Sequence, residues 1–103
     1  MSAPPFALLY TPTAQGVIEE LESSNATKVK CKKVKKALKL LTEVGPSYPG
    51  LNCHKYSSMT GPEGEEVWEA YVENNTPTAW RIWWIYGPNA DTITIVDIGP
   101  HPD

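Results

Sequence analysis

Three kinds of side chain in this sequence could do chemistry: one arginine, two histidines and a row of lysines. Arg81 stands inside the stretch from Ala79 to Tyr86, the most hydrophobic of the chain, and on a strand it shares a face with Ala79, Trp83 and Ile85. A guanidinium in that setting demands an anion, because burying a charge alone is very costly. Glu69 and Asp97 could each supply a structural ion pair. The other partner is an anionic ligand, whose oxygens the planar fork grips in pairs. His54 and His101 can take or give a proton near neutral pH. His54 follows Cys53, but neighbours on an extended segment face opposite ways, so a Cys–His dyad is not expected. Two Cys and two His, widely spaced, fall short of the four ligands of a structural zinc site, so neither a metal nor another cofactor is expected.

The lysines are concentrated. Seven of the nine basic residues lie between Lys28 and Lys39 with no acid among them, while the rest of the chain carries only Lys55 and Arg81 against 12 acids. On a helix, Lys28, Lys32, Lys35, Lys36 and Lys39 fall on one side, opposite Cys31, Val34, Ala37, Leu38 and Leu41. Such a row is a solvated face, or a contact for RNA phosphates or an acidic partner. The net charge of −3 argues mildly against nucleic acid; its distribution argues the other way.

The elements that must position these groups can be read from period and punctuation. Phe6 to Tyr10 is a short apolar strand. Thr11-Pro12 reads as a helix N-cap followed by Pro at the first helical position, and Val17, Ile18 and Leu21 carry the helix to about Ser23. A second helix is expected from Ala26 to Val44, ended by Gly45-Pro46. A turn-rich connector follows, then strands over Lys55–Met59, Val67–Glu73, Ala79–Tyr86 and Thr92–Ile98, with a turn from Asn74 to Thr78. The two prolines of the tail from Gly99 to Asp103 argue against regular structure there. Short turns demand antiparallel neighbours. The expected fold is α+β: one two-layer domain over residues 1–103, β-α-α-β-β-β(-β), with two N-terminal helices packed on an antiparallel sheet. Trp83 and Trp84 point to opposite faces, which leaves one of them for stacking or partner contact. With no long apolar run and no basic leader, no membrane association is expected and the chain reads as cytoplasmic.

Several segments together resemble the RelE/ParE superfamily of type II toxin–antitoxin toxins. These are Leu9-Tyr10-Thr11-Pro12-Thr13-Ala14 before a Glu-rich helix, Lys36-Ala37-Leu38-Lys39-Leu40-Leu41, and the run from Pro46 to Lys55 with its Pro-x-x-Pro-Gly-Leu-x-x-His-Lys pattern. Trp68-Glu69, Trp80-Arg81-Ile82 and the stretch from Ile95 to His101 complete the likeness, in order along the whole chain. The resemblance implies a metal-independent, ribosome-dependent mRNA endoribonuclease held inactive by a cognate antitoxin, with ribosome and mRNA as further partners. It implies Lys55 and Arg81 on phosphate, His54 and His101 as proton carriers, and Tyr86 stacking a base or binding phosphate. Two departures stand out. Ala70 and Tyr71 follow Trp68-Glu69 where the family's nucleases carry a further Arg, and the acidic loop from Gly61 to Glu66 comes close in sequence. They keep open a second class, a non-catalytic binding module that is gyrase-directed or an inactive homologue.

Overall fold

Thr11 opens the first helix as its side chain allows. In the computed structural model, which describes residues 4–74, 76 and 78–102, its Oγ1 accepts from the Ala14 N–H at 3.2 Å and donates to the Val96 carbonyl at 2.6 Å. One hydroxyl thus caps α1 (Pro12–Glu22) and ties it to the last strand. A single turn of 3₁₀ helix, Asn25–Thr27, occupies the start expected for the second helix, and α2 proper runs Lys28–Glu43. Its buried residues are Val34, Ala37, Leu38 and Leu41, the apolar side foreseen from the spacing. Gly45, at φ +95°, turns the chain away after its N–H and that of Val44 both donate to the Leu40 carbonyl.

Five strands form one sheet: β1 (Ala7–Tyr10), β2 (His54–Thr60), β3 (Glu66–Tyr71), β4 (Trp80–Tyr86) and β5 (Thr92–Pro100), in the order β1-β5-β4-β3-β2. The four C-terminal strands are the antiparallel meander that short turns impose. The sheet is not wholly antiparallel, however, because β1 pairs with β5 in parallel. Turn length constrains only strands that a turn joins. β1 is separated from β5 by both helices and three strands, so its direction was free.

β4 divides the sheet's two faces by strict alternation. Ile82 and Trp84 pack with Phe6, Ala14, Leu38, Leu41 and Ile95 under the helices. Trp83 and Ile85 pack with Val67 on the face that no helix covers, flanked by Tyr56, Met59 and Val96. Both Trp83 and Trp84 are buried, so neither is free for stacking; edge-strand side chains close over Trp83 even without a second layer. The tail also departs from expectation. β5 continues through Gly99 and Pro100, paired with Arg81 and Trp80, and the His101 N–H donates to the Ala79 carbonyl at 3.0 Å. Proline is admitted there because β1 stops pairing at Ile95, leaving the other side of β5 without a partner strand. Asn75 and Pro77, inside the expected Asn74–Thr78 turn, and Asp103 lie outside the described residues.

Candidate functional site

Glu69 is the centre of the open face. It sits on β3 opposite Trp83 on β4 and His54 on β2, and is 1% exposed. A buried carboxylate needs donors on both oxygens, and four side chains from two strands and the tail surround it. His54 Nε2 is 3.0 Å from Oε1, and Arg81 Nε is 3.7 Å from the same oxygen. Trp83 Nε1 donates to Oε2 at 3.0 Å, and His101 Nε2 stands 3.5 Å from it. His54 and His101, far apart in sequence, are thus brought to the two oxygens of one carboxylate.

The two histidines are held differently. His54 faces acceptors with both ring nitrogens, Nε2 toward Glu69 and Nδ1 toward the Asn52 carbonyl at 2.8 Å. Both hydrogen bonds can be made together only by the doubly protonated ring. His101 leans edge-on against Tyr56, 6.1 Å between ring centres, and its Nδ1 meets no hydrogen-bond partner among the described residues. Arg81 is stacked 3.6 Å above the Tyr71 ring, and its Nη1 donates to the carbonyls of Glu73 at 2.5 Å and Trp80 at 3.2 Å. Its Nε is buried without a hydrogen bond, and among the described residues Nη2 has no hydrogen-bond partner. Asp97, the other acid considered as its partner, turns instead to the Ile98 N–H at 2.8 Å.

Arg81, His54 and His101 therefore converge, whereas two other expected site residues do not. Lys55 pairs across the strands with Trp68, which packs on the helix side, and so points away from its neighbour His54. Its Nζ lies 3.0 Å from Glu66 Oε1. Tyr86 shares Trp84's face, five positions along β4 from Arg81, and its ring meets Trp84 edge-on at 4.8 Å. Burial pushes the Tyr86 hydroxyl above its ordinary range. The same alternation puts Cys53 against the helix-side core, where burial raises its thiol to about 11, the proximity of Trp84 opposing this weakly. The acidic turn from Gly61 to Glu65 is at the far end of the β2–β3 hairpin from His54 and Glu69.

Lys28, Lys32, Lys35, Lys36 and Lys39 are all exposed on α2, and Lys35 Nζ approaches Glu22 Oε2 at 2.5 Å. The two lysines outside that stripe behave otherwise. Lys30 and Lys33 reach down to Glu73 at 2.6 and 3.4 Å, and Lys30 also lies 5.0 Å from the Trp80 ring centre. The hydrogen bond from Lys30 is the main reason the Glu73 carboxyl is held below its usual range.

Solved structures resemble this arrangement over nearly the whole chain. The YoeB dimer of Staphylococcus aureus superposes with a TM-score of 0.66 at 13% identity, covering 95% of this chain and 99% of that one. The fold is that of the YoeB/RelE toxins. The RelE–RelB complex of Pyrococcus horikoshii OT3 gives a TM-score of 0.61 at 11% identity over 93% of this chain and 94% of that one. The YoeB/ParE toxin of Agrobacterium tumefaciens gives 0.62 at 11% over 94% and 100%. No family model and no curated protein matches the sequence. Within this RelE-like fold the Glu69 hub was not anticipated from sequence except as a partner for Arg81. The one available signal was its place on β3, on the opposite side from Trp68 and Ala70, where a carboxylate faces Arg81's strand.

Proposed function

We propose that the protein is the toxin of a type II toxin–antitoxin pair and cleaves messenger RNA on the ribosome, in the cytoplasm, by attack of a ribose 2′-hydroxyl on the adjoining phosphate. The observation that carries this reading is the pair of histidines on the two oxygens of Glu69. Glu69 receives Nε2 of His101, which leaves Nδ1 to take the 2′-hydroxyl proton as the oxygen closes on phosphorus. A doubly protonated His54 supplies the proton that the departing 5′-oxygen needs, and a 2′,3′-cyclic phosphate results. Arg81 offers Nη2 to a phosphoryl oxygen, where a positioned donor acts mainly on the transition state. The exposed α2 lysines serve as contacts for ribosomal or messenger phosphates. The likeness to a RelE bound to RelB supports an antitoxin partner for this chain as well.

The test is cleavage of messenger RNA on programmed ribosomes in vitro, with growth arrest on induction as its counterpart in cells. Arg81→Ala and His101→Ala are expected to lose cleavage and arrest while the fold survives. A strong arrest with intact messenger RNA and continuing translation would refute the nuclease reading.

One observation favours a second reading, a non-catalytic binding module. Arg81 spends Nη1 on two main-chain carbonyls, and Lys55 is turned to Glu66, so few cations face a substrate. On that reading an Arg81→Ala, His101→Ala double variant arrests growth as the wild type does.

A further inference from the structure

β2 begins at His54, opposite Glu69, so beyond that point β3 has no neighbour on its outer edge. The space left there is a groove of about 530 Å³ between α2, the turn from Tyr48 to Leu51 and the end of β3. Lys33, Lys36, Tyr48, Tyr71 and Asn74 contribute to its lining. Its size is that of a small-ligand site. Tyr71 belongs both to this groove and to the cluster described above, since its ring carries the Arg81 guanidinium and meets His54 edge-on at 5.8 Å.

From this we infer that the groove holds one nucleotide of single-stranded RNA next to the phosphate at Arg81, its base stacked on Tyr48 and its phosphate met by Lys36. This rests on the RNA reading given above and adds a subsite to it. Tyr48 is suited to the task because its ring packs against Gly50. A Cβ built on Gly50 would come 2.6 Å from Tyr48 Cε2, so a side chain there would displace the ring. Tyr48 is among the exposed large hydrophobic residues, which leaves surface for a base. Charge also fits. Glu73 is the groove's one carboxylate among the described residues, and Lys30, Lys33 and the Trp80 N–H already satisfy it, while Lys36 is exposed without an acidic partner among them. Aromatic faces beside uncommitted lysines are how single strands are held without sequence readout. An acidic peptide would use the lysines but has no use for a flat, exposed ring.

The test uses the full chain and a fluorescent 2′-O-methyl RNA hexamer, which can bind but lacks the attacking hydroxyl. Tyr48→Ala is expected to weaken binding about tenfold or more, and Tyr48→Phe to keep it, since the loss of one stacked base is being read. Lys36→Ala should flatten the salt dependence by about one phosphate contact. Circular dichroism checks that each variant is folded. Equal binding by wild type and Tyr48→Ala overturns the groove and leaves the nuclease reading standing. Failure of the wild type to bind the hexamer overturns the groove and weighs against the RNA reading too. If Tyr48→Ala loses affinity for a poly-Glu peptide but not for the hexamer, the groove takes an acidic protein segment and the proposal falls.

Discussion

His54 Nε2 stands 3.0 Å from Glu69 Oε1 although Glu69 is sealed from water and nearly half of the His54 side chain is exposed. The buried carboxylate fixes a solvent-facing imidazole, an arrangement that lets one group hold orientation while the other exchanges protons. Replacing Glu69 by Gln keeps the volume and removes the charge that orients both rings. Under the nuclease reading, cleavage on programmed ribosomes should drop by about 10²–10⁴, the range for losing acid–base assistance. His101→Gln should cost a similar factor, and the double variant little more than either alone, because the residues act as one unit. Additive losses would show that Glu69 and His101 act separately.

Glu73 makes stability depend on acid. Its carboxyl is held below its ordinary range, chiefly by the hydrogen bond from Lys30, with burial opposing. The folded state therefore binds this proton less readily than the unfolded chain. The stabilisation is whole above about pH 4.5 and disappears as the pH falls through the lower folded value. Glu73→Gln should lower the melting temperature by about 5 °C at pH 7, from roughly 1 kcal/mol of lost contacts. That gap should shrink as the pH drops from 5 to 3. A gap independent of pH would mean that the charge is not what stabilises.

Cys53 should be chemically quiet. With its thiol raised to about 11 by burial, little thiolate exists near neutrality. In a Cys31→Ser background, alkylation of the native protein by iodoacetamide at pH 8 should run about 100-fold slower than after unfolding. Comparable rates would place Cys53 in a more open setting.

Thr11 links two elements through one oxygen. Thr11→Ala removes both the α1 cap and the 2.6 Å bond to the Val96 carbonyl. The expected cost is about 1–2 kcal/mol in urea unfolding, with Thr11→Ser recovering most of it. Full stability in the Ala variant would mean that water replaces both contacts.

Local chemistry alone was enough to read the two helices and the meander. The Thr11-Pro12 cap, the period of Val34, Ala37, Leu38 and Leu41, the stop at Gly45 and the aromatic run from Trp80 to Tyr86 each specify a short stretch without reference to anything distant. Strand alternation, likewise a local rule, already separates His54 from Lys55 and Arg81 from Tyr86; what it cannot say is which face is covered. That depended on β1 pairing with β5 and on the helices choosing the Ile82–Trp84 side. Tertiary structure alone carried β5 through Pro100 so that His101 reaches Glu69, and turned Lys30 and Lys33 out of the lysine row onto Glu73. The physical reason is that a carboxylate's donors are recruited through space. His54, Trp83 and His101 meet at Glu69 by register between strands, and register is set by the packing of the whole sheet.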